Sequence, residues 1–452
     1  MSDPREIIDK SPMTILQWVV VIITVLMNAM DGFDVLAISV AGPGIKGEFG
    51  IDQAALGFVL SMELLGMALG SVFLGGVADK IGRRKMSLSC LAVMAVGMFL
   101  VSTTSSLTTL CVWRFITGLG IGGMLSTVNA IVAEFSNSKA RSFCISMMVI
   151  GYPLGGIACG AYGQSVLEAG AVNWRVMFTG GAILSAVLIP LVYFLVPESI
   201  HWLTRKQPAK ALDHINAALR KLGHKVVDEL PKLAATTGKH SVLEIFSPGL
   251  AMTTIITTVA YFFTIVSFYF VLKWTPTIVT EMGFAPSSAS GVLTWANIGG
   301  AAGGAVFGLL TVRIGLKPLT IVILLLTTVG IALFGRSAPD LTQLGYWVAF
   351  AGFFGNAGIS GLYTIVARVF PTHLRATGTG FVIGVGRGGA YISPIIAGFL
   401  FDWNYSRETV ALIMGCGAFL AGITLLFLKM REGDAEQPPI SAEEEEEMGT
   451  PV

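Results

Sequence analysis

The stretch GGVADKIGRRK, Gly75 to Lys85, sets five charged residues between two long apolar runs. A degraded copy, GLLTVRIGLKP, begins at Gly308, where Val312 stands in place of Asp79. A second pair of loops repeats in the same way: EFSNSKARSF from Glu134 matches RVFPTHLRATG from Arg368, with Arg141 falling on Arg375. Gly75 to Gly308 is an offset of 233 residues and Glu134 to Arg368 one of 234. Two loops at a nearly constant offset indicate a duplicated unit. Parallel repeats in a membrane protein place a substrate site between the halves, near mid-membrane.

Working outward from these loops, the chain reads as apolar spans. It has 452 residues, 54% hydrophobic and only 13% charged, against about 25% charged in an average soluble domain. Its mean hydropathy is +0.75. A membrane-crossing helix needs about 20 mostly apolar residues. Twelve runs meet that length, beginning near Ile15, Ala54, Met86, Leu107, Ser142, Trp174, Gly249, Ser288, Pro318, Leu341, Ala376 and Glu408. The runs are continuous rather than alternating, so they are helices and not barrel strands. The expected class is an all-α membrane protein with twelve spans in two pseudo-symmetric six-helix bundles. The expected division is an N-terminal segment 1–14, a bundle 15–196, a central polar loop 197–248, a bundle 249–430 and an acidic, disordered tail 431–452.

Positive charge sets the expected orientation. The even-numbered short loops hold Lys80, Arg83, Arg84, Lys85, Lys139, Arg141, Arg313, Lys317, Arg368 and Arg375; the odd-numbered ones hold Lys46, Arg175, Lys273, Arg336 and Arg407. The even loops, the central loop and both termini are therefore expected in the cytoplasm, with the chain in the inner membrane. The net charge of +1 and the lack of a basic, aromatic-interleaved patch argue against nucleic acid. The five cysteines lie scattered in apolar runs without metal-ligand spacing, and no cofactor motif is evident. No nucleophile–base pair or phosphate loop points to an enzyme.

Gly75, Asp79, Lys80, Gly82, Arg83 and Arg84 fit the pattern Gly-x3-Asp-Arg/Lys-x-Gly-Arg/Lys-Arg/Lys, and here the sequence resembles the major facilitator superfamily. Within it, four features resemble the aromatic acid:proton symporters: DGFD at Asp31–Asp34, RFITGLGIGG from Arg114, PESIHWL from Pro197 and GVGRGGAYISP around Arg387. The pair formed by DGFD and Arg387 is the more specific. The resemblance implies proton-coupled uptake of an aromatic carboxylate by alternating access. It also implies a charge relay of Asp79, Arg83 and Glu134 that closes an inner gate, with Gly75, Gly82, Arg84 and Arg141 in the same loops. Asp79 is in addition placed to oppose the positive N-terminal end of the eleventh span.

Charges inside the spans are costly, so function is their default reading. Asp31 and Asp34 stand three apart on one helical face, and ionising both in a poorly solvated cleft is unfavourable. They are read as the proton-coupling pair; the alternative is that one pairs with Arg114 or caps a break at Gly32. Glu63 sits near mid-span as a second protonation site, a substrate contact or a partner for an arginine. Arg114 and Arg387 come from opposite halves, and a guanidinium fork matches a carboxylate. Arg387 is assigned to the substrate and Arg114 to an aspartate. Lys273 is placed near the outer end of the seventh span, snorkelling to the interface or drawing in an anion. All five histidines are placed in loops, which excludes an imidazole relay.

Phe268 in the seventh span belongs to an aromatic run able to wall a ring. Tyr152, Trp295, Asn297, Asn356 and Tyr363, with Asn129, are candidate hydrogen-bonding residues at the substrate, or else glue between helices. The GYPLGG stretch from Gly151 partly resembles a motif of drug:proton antiporters, so export of a drug or another organic anion is the second reading. A substrate-sensing receptor is a third, weakened by a tail too short to fold. The expected partners are a small aromatic carboxylate, a proton and the lipid bilayer, with the chain a monomer.

Overall fold

The computed structural model describes residues 3–169, 173–231, 242–311, 314–371 and 374–430. Val312, Arg313 and the acidic tail lie outside the described residues. Among the described residues, twelve helical spans are long and apolar enough to cross a membrane. A short α1 (Pro4–Lys10) precedes α2 (Ile15–Phe49), α3 (Gln53–Ile81), α4 (Arg83–Thr103), α5 (Leu107–Phe135), α6 (Arg141–Glu168) and α7 (Arg175–Leu195). Two short helices follow, α8 (Ile200–Lys206) and α9 (Ala211–Leu222). The second set is α10 (Ala251–Glu281), α11 (Pro286–Leu310), α12 (Leu316–Arg336), α13 (Leu341–Val369), α14 (Arg375–Gly386), α15 (Gly388–Asp402) and α16 (Arg407–Leu426). Helices α14 and α15 form one span broken at Arg387. His201 and His214 lie on α8 and α9 rather than in loops, still outside the spans.

Local chemistry sets the helix ends. Thr14 and Gln17 close a capping box on α2, and the Asp52 carboxylate accepts from the Ala55 N–H to start α3. Gly82 ends α3 at φ 104°, a conformation that favours glycine, and α4 starts directly after it.

Close backbone approach builds each half. A Cβ on Gly118 of α5 would overlap the Glu63 carbonyl oxygen of α3. In the second half, a Cβ on Gly352 of α13 would overlap the Ala296 carbonyl oxygen of α11. The positions 118 and 352 are again 234 apart, so the duplication extends from loops to helix seams. Small residues let membrane helices gain dispersion contact where lipid offers no hydrophobic driving force.

The halves meet along α6 with α11, α3 with α15 and α2 with α10. Gly156 faces Asn297, Gly160 faces Thr294 and Gly163 faces Ser290 along the first seam. Gly57 lies against the Pro394 carbonyl, and a Lys46–Glu281 ion pair of 2.7 Å joins α2 to α10. These contacts run from mid-span to the end opposite the Gly75–Lys85 loop, here called the far end. This is a conformation sealed at the far end.

Candidate functional site

The centre of the molecule holds a buried ionic cluster. Arg114 of α5 is fully buried, and its Nη1 donates to Asp34 Oδ1 at 2.6 Å while Nη2 donates to the Asp34 carbonyl at 3.1 Å. Nη2 also pairs with Glu63 Oε2 of α3. The guanidinium carbon stands 5.2 Å from the centre of the Phe178 ring. One planar fork thus ties α2, α3 and α5 together, as the geometry of guanidinium allows and that of ammonium does not. Of the three roles the sequence left open for Glu63, the pairing with an arginine is the one visible in this geometry.

Asp31 differs from its neighbour. It is fully buried, and neither carboxyl oxygen has a hydrogen-bond partner. Asp34, Glu63 and Arg387 act on it through their charges alone. A carboxyl in that setting is stable when neutral, because an isolated buried carboxylate is far costlier than an uncharged acid. The alternative that an aspartate caps a helix break at Gly32 fails: α2 is continuous there. Gly32 instead leaves room for the Tyr152 carbonyl oxygen of α6.

Lys273 overturns its expected place. It is fully buried, its Nζ donates to the Val35 carbonyl of α2, and it lies 3.5 Å from Glu63 Oε2. It therefore drops out of the odd-loop charges. The reason is length: α10 continues eight residues beyond it to Glu281, about 12 Å of helix. A side chain that deep turns inward to carboxylates rather than outward to the interface.

Arg387 sits at the α14–α15 break, with Tyr261, Tyr269 and Tyr363 as its electrostatic neighbours. Its Nη1 is buried without a hydrogen-bond partner. The Tyr261 hydroxyl donates to that of Tyr363 at 3.2 Å, with the rings 5.7 Å apart and edge-on. The Tyr152 hydroxyl reaches this group from the other half, beside Tyr269. Tyr261 and Tyr269 were not singled out by sequence reasoning; their signal was the aromatic run on α10, which did not say which rings face inward.

The other candidates are placed elsewhere. Trp295 is 54% exposed, on the side of α11 turned away from buried Ala289, Leu293 and Ala296, so it does not face a substrate. Asn297 donates to Leu293 O on its own helix at 3.0 Å and fills the α6–α11 seam. Asn356 donates to Gly300 O at 2.7 Å and glues α13 to α11. Asn129 bonds Leu125 O within its own helix. Phe268 packs its ring against Gly355 and Tyr269.

At the loop end, Arg83 Nη1 meets Asp79 Oδ1 at 2.7 Å and its Nε lies 3.5 Å from Glu134 Oε1, which brings the three expected residues together. The Asp79 carboxylate is completed by Arg205 at 2.8 Å rather than by the first turn of α14. Arg141 does not join this set; it pairs with Asp9 of α1 and donates to Ala133 O. Arg84 turns to α7, with its guanidinium 4.8 Å over the Tyr193 ring. A Cβ on Gly75 would meet Ser126 at an ordinary contact distance. Glu198 is the residue sequence reasoning missed: its Oε1 accepts the Arg83 and Arg84 N–H groups at 2.7 and 3.1 Å, capping α4. It lies in PESIHWL, a stretch read only as a family mark.

A benzoate transport protein of Acinetobacter baylyi is 28% identical over 96% of this chain and 94% of its own. A 4-hydroxybenzoate transporter of Pseudomonas putida is 27% identical over 93% and 95%. The inward-open structure of the E. coli xylose transporter superposes with a TM-score of 0.72 at 18% identity, covering 92% of this chain and 97% of that one. The family model of the Major Facilitator Superfamily matches residues 24–285 and 255–450. The chain is therefore a multi-pass transporter of the major facilitator superfamily, related to aromatic acid transporters, and not an enzyme.

Proposed function

We propose that the protein imports an aromatic carboxylate of the hydroxybenzoate or vanillate type together with protons, by alternating access. The observation that carries this is the pairing of two unsatisfied groups: the Arg387 Nη1 donor and the Asp31 carboxyl, on opposite halves and ringed by tyrosines. A buried donor without an acceptor costs about 1–3 kcal/mol, more for a charged group, and a substrate carboxylate relieves it. Tyr152, Tyr261, Tyr269 and Tyr363 offer ring edges and hydroxyls to a phenolic ring. Asp31 carries the coupled proton, while Arg114 holds Asp34 and Glu63 in place. The Asp79–Arg83–Glu134 relay, with Gly82 and Arg84 in its loop, belongs to the inner gate.

The moving bodies are residues 15–196 and 249–430, joined by 197–248, in a monomer. The charged loops and both termini face the cytoplasm, and the membrane is the inner one. The relatives named above support the substrate class. The glycine–proline stretch on α6 requires no export reading, because Gly151 and Gly155 serve to seat α6 on α2.

The test is uptake of labelled 4-hydroxybenzoate into proteoliposomes with acid outside. Wild type accumulates the acid. Asp31→Asn exchanges it without accumulating it, and Arg387→Gln does neither. Accumulation by Asp31→Asn at the wild-type level removes the coupling role, and full uptake by Arg387→Gln removes the substrate role.

A further inference from the structure

The cluster is assembled from both halves, and only one member crosses. Asp31 and Asp34 belong to α2, Glu63 to α3 and Arg114 to α5, all in the first half. Lys273 comes from α10 in the second. Its ammonium reaches the Val35 carbonyl and stands 3.5 Å from Glu63 Oε2 on the far-end side of the molecule, where the seams are closed. Eight residues further along the same helix, Glu281 makes its 2.7 Å pair with Lys46 of α2. Lys273 and Glu281 both belong to α10, and their partners Val35, Lys46 and Glu63 lie on α2 and α3 of the first half, so parting α10 from these two helices at the far end withdraws Lys273 from Glu63.

Charge counting gives the consequence. With Lys273 in place, three carboxyls face two cations, Arg114 and Lys273. The one carboxyl left over is Asp31, which has no donor. With Lys273 withdrawn, the same three carboxyls face Arg114 alone, and a second one is left without a compensating charge. Arg114 keeps a direct hydrogen bond to Asp34. The carboxyl that loses its second cation is Glu63. Asp34 and Glu63 then share the single charge of Arg114; the excess buried negative charge is strongly destabilising, and binding a proton removes it. The other titratable groups facing Lys273 and Glu63 are Tyr152 and Cys159 from α6, Tyr269 from α10 and, acting on Asp31, Arg387 at the α14–α15 break.

We propose that Lys273 is the coupling residue through which closure of the far end expels a proton from Glu63. When α10 swings in, the ammonium takes its place beside Oε2. The Glu63 O–H bond breaks, its electron pair stays on the carboxylate, the proton leaves to water, and Lys273 remains an ammonium throughout. Opening reverses the step. Asp31 and Glu63 are thereby two separate proton sites, one facing the substrate arginine and one answering to the motion of the halves. This rests on the transport reading above but is tested without any aromatic acid.

The experiment measures the far-end distance by electron resonance between spin labels at Gly47→Cys and Thr280→Cys. The full chain is used, with Cys111 and Cys416, the two incompletely buried cysteines, changed to serine. Gly47 has open space around a Cβ. One proton taken up on opening changes the open-to-closed ratio tenfold per pH unit, with opening favoured as pH falls. Wild type should show that slope. Glu63→Gln and Lys273→Gln should each lower it by about one proton, and Lys273→Arg should keep it. Glu63→Gln with Lys273→Gln removes both charges at once, so it folds even if Lys273→Gln alone does not, and it should match Glu63→Gln. A wild-type ratio independent of pH, or an unchanged slope in Glu63→Gln and in the double variant, overturns the proposal. Failure to move 4-hydroxybenzoate with the slope intact overturns the substrate reading instead.

Discussion

At the scale of single residues, position relative to backbone matters as much as chemistry. Gly118 illustrates this. It carries no functional group, yet a Cβ there would strike the Glu63 carbonyl and push α3 off α5. Glu63 would then move away from Arg114, with which it pairs. Gly118→Ala is expected to destabilise the protein by about 1–3 kcal/mol, as overpacking does, and to lower uptake. Thermal unfolding in detergent checks the first part. Gly47→Ala, with nothing within 4 Å of the added carbon, is the control and should unfold at the wild-type temperature.

At the scale of elements, the end of α4 is held by a side chain more than a hundred positions away. Glu198 accepts from two backbone N–H groups of the first turn of α4. A carboxylate at a helix N-terminus satisfies orphan donors and faces the positive end of the dipole. The same glutamate lies where a side chain on Gly82 would be. Next to it, Trp202 Nε1 donates to Asp79 O at 2.9 Å, so α8 rests on the last turn of α3. Burial of the His201 imidazole on α8 holds its pKa below the ordinary value, keeping it neutral beside this network. Glu198→Ala is expected to cost about 1–2 kcal/mol. The readout is the unfolding midpoint, and faster proteolysis within 197–231 should accompany it. No change in either would mean that α4 starts equally well without its cap.

At the scale of the whole molecule, the far end is held shut by charge as well as by glycine seams. Lys46 and Glu281 are half exposed, and an exposed pair is worth up to about 1 kcal/mol. Lys46→Glu replaces attraction by repulsion and should shift the open-to-closed ratio about fivefold toward open. Lys46→Glu combined with Glu281→Lys should restore it. The same distance measurement between labelled halves reads both. A swap that leaves the far end as open as the single variant would show that the pair does not act across the halves.

Much of this protein was legible in its residues because membrane burial writes a strong signal. Twelve apolar runs, two loops at offsets of 233 and 234, and the Gly75–Lys85 pattern were enough for the spans and the duplication. Each observed span begins within about three residues of its expected start. The charged residues Asp31, Asp34, Glu63, Arg114 and Arg387 were also visible, since ionised groups are rare in spans. Their partners were not. That Arg114 takes Asp34 and Glu63, that Asp31 is left without a donor, that Lys273 crosses between halves and that Trp295 faces outward all depend on helix rotation and on the approach of elements distant in sequence. Hydropathy reports how deep a residue lies along a span, because each residue is tested against lipid separately. Which face turns inward, and what it meets there, is settled only when all twelve helices pack at once.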